Sequence, residues 1–145
     1  MEIKRSNSNN EERLAKFLVN YWKTRDMNLS LKWAKDYLKK GMTSEMKEER
    51  FVFIDNGKIL GTIALLKYYE NVAEIRDEIW KNNEIGFKLL SHIIKVAKKE
   101  KFRKLYSLAL KDKVGFYKKQ GFVKEGLLKN HFKFGEDITI MSKFL

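Results

Sequence analysis

The chain of 145 residues has no cysteine and no proline, and only two histidines, His92 and His131. Without cysteine there are neither disulfides nor thiolate metal sites. Two histidines are too few for a histidine-rich metal centre, so no metal cofactor is expected, and both read as ordinary helix or surface residues. No apolar run is long enough to span a bilayer. The first residues, Met-Glu-Ile-Lys-Arg-Ser-Asn, lack the apolar segment of a secretory signal. The expectation is a soluble, cytoplasmic protein without a membrane partner. No repeat, linker or low-complexity tail interrupts the chain, so residues 1–145 read as a single domain.

What is present begins with a hydrophobic content of 43%, which excludes disorder and supports a sizeable core. There are 31 Lys and Arg against 19 Asp and Glu, a formal charge of +12. Such a balance favours polyanionic partners, among them nucleic acid or a phosphorylated cofactor. The lysines are spread along the chain instead of forming a basic tail, and a Lys- and Asn-rich, proline-free composition also fits coding bias. Charge alone therefore carries little weight.

Read in order, Met1 to Arg5 alternates as a first strand. Asn9 or Asn10 is placed to cap a helix with Leu14, Phe17, Leu18, Tyr21 and Trp22 on one stripe. After a break at Thr24 to Asn28, Ser30 caps a second helix that turns Leu31, Trp33, Ala34, Tyr37 and Leu38 inward and stops before Gly41. Met42 to Glu49 is polar and loop-like. Arg50 to Asp55 and Lys58 to Tyr69 flank Asn56-Gly57, the strongest local hairpin signal. Gly61 suggests a bulge or a close approach, and Glu70-Asn71 turns the chain into the next strand. Lys104 to Leu110 is a further strand, Asp112 caps a short helix that stops at Gly121, and Phe122 to Leu145 forms two strands joined around Gly135 to Asp137. The order is βααβββαβαββ, a mixed sheet with helices on its faces.

The segment from Val72 to Lys99 is a strand, a short polar turn and a helix with Ile85, Leu89, Ile93 and Ala97 four apart. A strand entering a helix through such a turn aims unpaired N–H groups outward, an arrangement that suits phosphate as well as an ordinary connection.

At Val114-Gly-Phe-Tyr-Lys-Lys-Gln-Gly-Phe122 the chain resembles the Phe-Tyr-x-x-x-Gly-Phe signature of the GNAT superfamily, the acetyl-CoA-dependent N-acetyltransferases. The Asn-Gly hairpin, Gly61, Val72-Ala-Glu-Ile75 and the closing Ile-Met-Ser-Lys-Phe-Leu are similar too, over essentially the whole chain. The resemblance implies an α/β, single-domain GNAT-like fold: a mixed, mostly antiparallel central sheet with helices on both faces. It implies an acetyl-CoA co-substrate and direct attack of a primary amine on the thioester. The amine belongs to a small molecule or a protein N-terminus. Substrate contacts would come from the two N-terminal helices and the final strands, and a homodimer paired through those strands is plausible for the fold.

By the same resemblance, Tyr117 matches the tyrosine that protonates the departing thiolate, and Glu74 matches a catalytic glutamate. Strand alternation puts Glu74, Arg76 and Glu78 on one face and Ile75, Asp77 and Ile79 on the other, so Glu78 and Asp77 are rival carboxylates. The cofactor loop corresponds to Ile79, Trp80, Lys81, Asn82, Asn83, Glu84, Ile85, Gly86 and Phe87. Here Glu84 stands where the family has a glycine, and the loop ahead of it is short. Lys81, Lys88, Lys111 and Lys113 are cations able to offset Glu84 and reach a nucleotide phosphate. No Asn precedes the tyrosine helix, a second departure. The alternative to an N-acetyltransferase is a domain that keeps the fold as a binding or regulatory module, including one for nucleic acid; Glu84 and the short loop are the features behind it.

Overall fold

The computed structural model describes residues 1–43 and 47–145. The elements are β1 (Glu2–Arg5), α1 (Glu11–Lys23), α2 (Leu31–Thr43), β2 (Glu48–Asp55), β3 (Lys58–Lys67), β4 (Val72–Trp80), α3 (Asn83–Lys99), β5 (Lys104–Leu110), α4 (Lys111–Lys119), β6 (Val123–Lys133) and β7 (Glu136–Phe144). They follow the expected order. One seven-stranded sheet runs β1-β2-β3-β4-β5-β7-β6. Among the described residues only β4 and β5 pair in parallel, the crossover between them being α3.

Two apolar clusters fix which helices cover which face. Leu14, Ala15, Leu18, Ala34 and Leu38 of α1 and α2 bury against Val52, Ile54 and Ile79. On the other face, α3 and α4 pack Ile85, Leu89, Leu90, Ile93, Phe116 and Tyr117 against Phe51, Phe53, Ile63, Leu65, Ile75, Leu105, Ala109 and Met141. The alternation along β2 divides its side chains between these two clusters, as a strand buried on both faces requires.

Several local expectations change. Asn10 occupies the N-cap position of α1 without capping it; its Oδ1 accepts instead from the Asn7 N–H and the Ser6 hydroxyl, both at 3.1 Å. Those bonds close a 3-10 turn over Ser8–Asn10 ahead of the helix. Ser30 does cap α2, accepting from the Trp33 N–H at 3.0 Å, but Trp33 points outward and stacks on Tyr37. Gly41 lies inside α2, where a Cβ would come within 2.7 Å of the Glu48 carboxylate. Of the polar stretch Met42 to Glu49, residues 44–46 lie outside the described residues, and Glu48 already opens β2. Asp112 does not cap α4, whose N-cap is Leu110; it forms an ion pair with Arg25 instead. α4 ends at Lys119, and Gly121 follows at φ +81°. The last hairpin turns at Phe134-Gly135, with Glu136 and Asp137 already in β7.

Asn56 and Gly57 both adopt positive φ, +48° and +73°, the geometry a two-residue hairpin demands. At Gly61 both expectations hold: the register shifts beside it, and a Cβ would meet Leu89 and Ile85 of α3 at under 3 Å.

Candidate active site

β4 and β5 pair only from Val72 to Ile75 opposite Lys104 to Ser107. Beyond that point the two strands part, and the gap is the floor of a cleft of about 180 Å³ lined from β4 by Glu74 to Ile79, from β5 by Leu108 and Leu110, and from α4 by Lys113. Tyr21, Trp22, Phe132 and Ile138 form its outer wall. The parting thus joins the two faces of the sheet.

A bulge at the start of the gap decides where the carboxylates go. Arg76 pairs with Ala64 and Ile79 with Thr62, leaving Asp77 and Glu78 opposite Ile63 alone. Asp77 absorbs the extra residue at φ +49°, a conformation that Asp tolerates better than most residues. The bulge corrects the simple alternation of the strand. Glu74, Arg76, Asp77 and Ile79 turn toward α1 and α2, as the contacts of Asp77 with Tyr37 and of Ile79 with the α1–α2 cluster show. Ile75, Glu78 and Trp80 turn toward α3 and α4. Glu74 and Glu78 therefore lie on opposite faces.

Each carboxylate has a different environment. Asp77 accepts from Arg50 Nη2 at 2.6 Å and from the Tyr37 hydroxyl at 2.7 Å. Glu74 is buried, accepts from the Tyr68 hydroxyl at 2.8 Å, and pairs with Arg76 Nε at 3.2 Å. Glu78 has one close partner, the Ser107 hydroxyl, which donates to it at 2.6 Å. Burial pushes its carboxyl up to about 7, partly opposed by the Ser107 bond and by Lys113. Burial likewise lowers Lys113, whose Nζ lies 3.7 Å from the centre of the Trp80 ring.

Tyr117 is fully buried, and among the described residues its hydroxyl meets no partner at strict hydrogen-bond geometry, although Ser107 and Glu78 lie close enough to interact with it. Burial, and then the nearby Glu78 charge, hold it well above the usual phenol range. A buried hydroxyl left unpaired costs on the order of 1–3 kcal/mol, so a hydroxyl with no partner at strict geometry beside the parted strands is a candidate for a role in the cleft.

The expected cofactor residues divide. Asn82 Oδ1 accepts from the Ile85 N–H at 3.0 Å and caps α3, so the N–H groups of Asn83 and Glu84 are first-turn donors with no acceptor inside the helix. Glu84 is exposed and its carboxylate meets Lys88 Nζ at 2.9 Å; it turns along the helix surface instead of over the helix end. Lys81 and Lys111 are exposed. Ile85 is a core residue. Ile79 points its side chain into the α1–α2 cluster, away from α3. Trp80 lies against Phe116 at 4.7 Å, and Phe87 stacks on the same ring. A Cβ on Gly86 would sit 2.4 Å from the Trp80 indole, so the glycine is required by this ring.

Sequence reading missed Ser107 and Arg50. Ser107 carried a signal, as the polar member of the inward series Leu105, Ser107, Ala109. Arg50 carried none, since it reaches Asp77 across the intervening strand.

The geometry fits a thioester-bearing CoA: an open strand edge on β4, a capped helix N-terminus beside it and a buried phenol at the parting. Among known proteins, the model of the acetyltransferase (GNAT) family matches residues 10–122. No curated protein matches in sequence. Among solved structures, a ribosomal-protein-alanine N-acetyltransferase from Brucella melitensis superposes with a TM-score of 0.82 at 18% identity over 100% of both chains. An aminoglycoside 6'-N-acetyltransferase from Enterococcus faecium gives 0.79 at 18% identity, covering 99% of this chain and 97% of its own. An aminoglycoside 6'-N-acetyltransferase complexed with coenzyme A gives 0.78 at 18% identity with the same coverage. At these identities the likeness establishes the fold.

Proposed function

Since the chain belongs to the acetyltransferase (GNAT) family, we propose that it transfers an acetyl group from acetyl-CoA to a primary amine, with Glu78 as the base and Tyr117 as the acid. The observation that carries this reading is the buried Tyr117 hydroxyl beside Glu78 where β4 and β5 part.

When bound, acetyl-CoA would supply an activated acyl group, and the open edge of β4 and the first turn of α3 would hold it. The residues of the chain do the rest. Glu78, with a carboxyl that titrates near neutrality, is suited to take a proton from the amine. Ser107 holds that carboxyl in place. Tyr117, kept protonated by burial, is suited to donate to the thiolate. Glu74 is already engaged by Arg76 and Tyr68, which makes it less suited than Glu78 to take a proton. The solved relatives act, by their names, on acceptors as different as an aminoglycoside and a ribosomal protein, so the acceptor has to be argued from this chain's own cleft.

Calorimetry with acetyl-CoA, followed by thiol release across a panel of primary amines, tests the reading. Saturable CoA binding and amine-dependent thiol release, both expected, support it. Absence of CoA binding at millimolar concentration overturns it.

A further inference from the structure

The wall of the cleft is aromatic. Tyr21 and Trp22 meet edge to face at 5.1 Å, and Trp22 lies 6.0 Å from Phe132 at a 31° tilt. Ile79, Leu108, Leu110 and Ile138 complete the apolar surface. At about 180 Å³ the space is smaller than the roughly 300–1,000 Å³ of sites for drug-sized ligands.

The polar end offers one carboxylate without a cation in contact. Asp77 is paired with Arg50 and Glu74 with Arg76, whereas Glu78 is bonded to a hydroxyl and has Lys113 as a nearby cation of the cleft that forms no ion pair with it. A ligand with one amino group and a flat apolar body satisfies both ends. A second amino group, or a ring of hydroxyls, would be desolvated against Trp22, Phe132 and leucine side chains without partners.

A larger groove, lined by Thr24, Lys111, Leu127, Glu136 and Thr139, adjoins the cleft, and Leu110 lines both. Arg25 and Asp112, paired at 2.6 Å, line the groove and not the cleft. Arg25 also packs over the Tyr21 ring. The pair links the segment after α1 to the start of α4, beside the Leu110 boundary of the two spaces.

Resting on the acetyltransferase reading, we propose that the acceptor is a small arylalkyl monoamine, its ring held by Tyr21, Trp22 and Phe132 and its amine directed to Glu78. In the transfer, an N–C bond forms and the thioester C–S bond breaks. Of the two protons the ammonium gives up, one leaves through Glu78 to solvent and one ends on the thiol through Tyr117.

The test uses the full chain with phenethylamine, spermidine, kanamycin, glucosamine 6-phosphate and an alanyl peptide. Calorimetric binding of each amine is measured without acetyl-CoA, and kcat/KM for acetyl transfer is measured with it. Phenethylamine is expected to bind, and to exceed each of the others in kcat/KM by at least tenfold. Trp22→Leu is expected to weaken phenethylamine binding at least tenfold while CoA affinity, measured separately, stays within twofold. Turnover led by kanamycin, spermidine, the sugar phosphate or the peptide overturns the acceptor assignment and leaves the acetyltransferase reading standing. Loss of CoA binding as well overturns both.

Discussion

The Arg50 guanidinium of β2 reaches over β3 to hold the Asp77 carboxylate of β4 at 2.6 Å. The residue between them, Ala64, pairs with Arg50 on one side and Arg76 on the other, and its single methyl leaves the path clear. This contact anchors the bulge that turns Glu78 toward Tyr117. Arg50 is buried and also bonds Glu48 at 2.9 Å. Removing one partner of a buried pair costs roughly 3–5 kcal/mol when it leaves the other charge uncompensated; here Glu48 stays in contact with Arg50 and compensates part of that charge. Asp77→Ala is therefore expected to lower unfolding free energy in urea by less than that amount, whereas Asp77→Asn, which keeps the acceptor oxygen and tolerates positive φ, lowers it less still.

Glu78 ties activity and stability to pH with opposite signs. As a base it works deprotonated, so kcat/KM is expected to rise through about pH 7. Its folded-state pKa is raised from 4.5, so the folded protein holds the proton more tightly than the unfolded chain. Stability from this group is full below about pH 4.5 and is lost as pH rises toward 7. Glu78→Gln is expected to abolish the inflection in the rate profile. It should also raise unfolding free energy at pH 8 by at most about 3 kcal/mol, with no gain at pH 4.5. Rate profiles and urea melts at both pH values check the two halves.

Tyr117→Phe removes a buried hydroxyl that meets no partner at strict hydrogen-bond geometry among the described residues. The variant is expected to be as stable as the parent or more so, by up to about 1–3 kcal/mol, while acetyl transfer falls at least tenfold and CoA affinity changes little. Thermal melts, thiol release and calorimetry give the three readings. A variant with full activity would remove Tyr117 from the mechanism.

Glu84 and Gly86 lie two positions apart in the first turn of α3 and are expected to respond differently. Because Glu84 is exposed and paired with Lys88, Glu84→Gly should leave CoA affinity within about twofold and cost helix stability of up to about 1 kcal/mol. Gly86→Ala puts a methyl 2.4 Å from the Trp80 indole and should displace the ring from Phe116. Overpacking of this kind costs about 1–3 kcal/mol, visible as a lower Tm and a shift in tryptophan emission.

Ser107→Ala isolates a positioning role. The Glu78 carboxyl would lose its one close donor, at 2.6 Å, and the Ser107 bond opposes the upward shift of Glu78. The alkaline-rising limb of kcat/KM is therefore expected to move to higher pH, with fold and CoA affinity preserved. Ser107→Thr, which restores a hydroxyl, should return it.

The order of elements, the Asn56-Gly57 turn, the Ser30 cap and the inward stripe of α3 were legible in the sequence because each depends on residues within a few positions of one another. Periodicity and turn chemistry are local, and they suffice to place helices on both faces of a mixed sheet. The Phe116-Tyr117 motif made the family recognisable for the same reason. Tertiary structure alone decided which carboxylate faces Tyr117. Strand alternation put Glu78 with Glu74, and one bulge at Asp77 reversed that, held by an arginine 27 positions earlier in the chain. The aromatic wall likewise joins Trp22 to Phe132 from opposite ends of the sequence. Register and long-range pairing are settled by packing across strands, and nothing in the neighbouring residues records them.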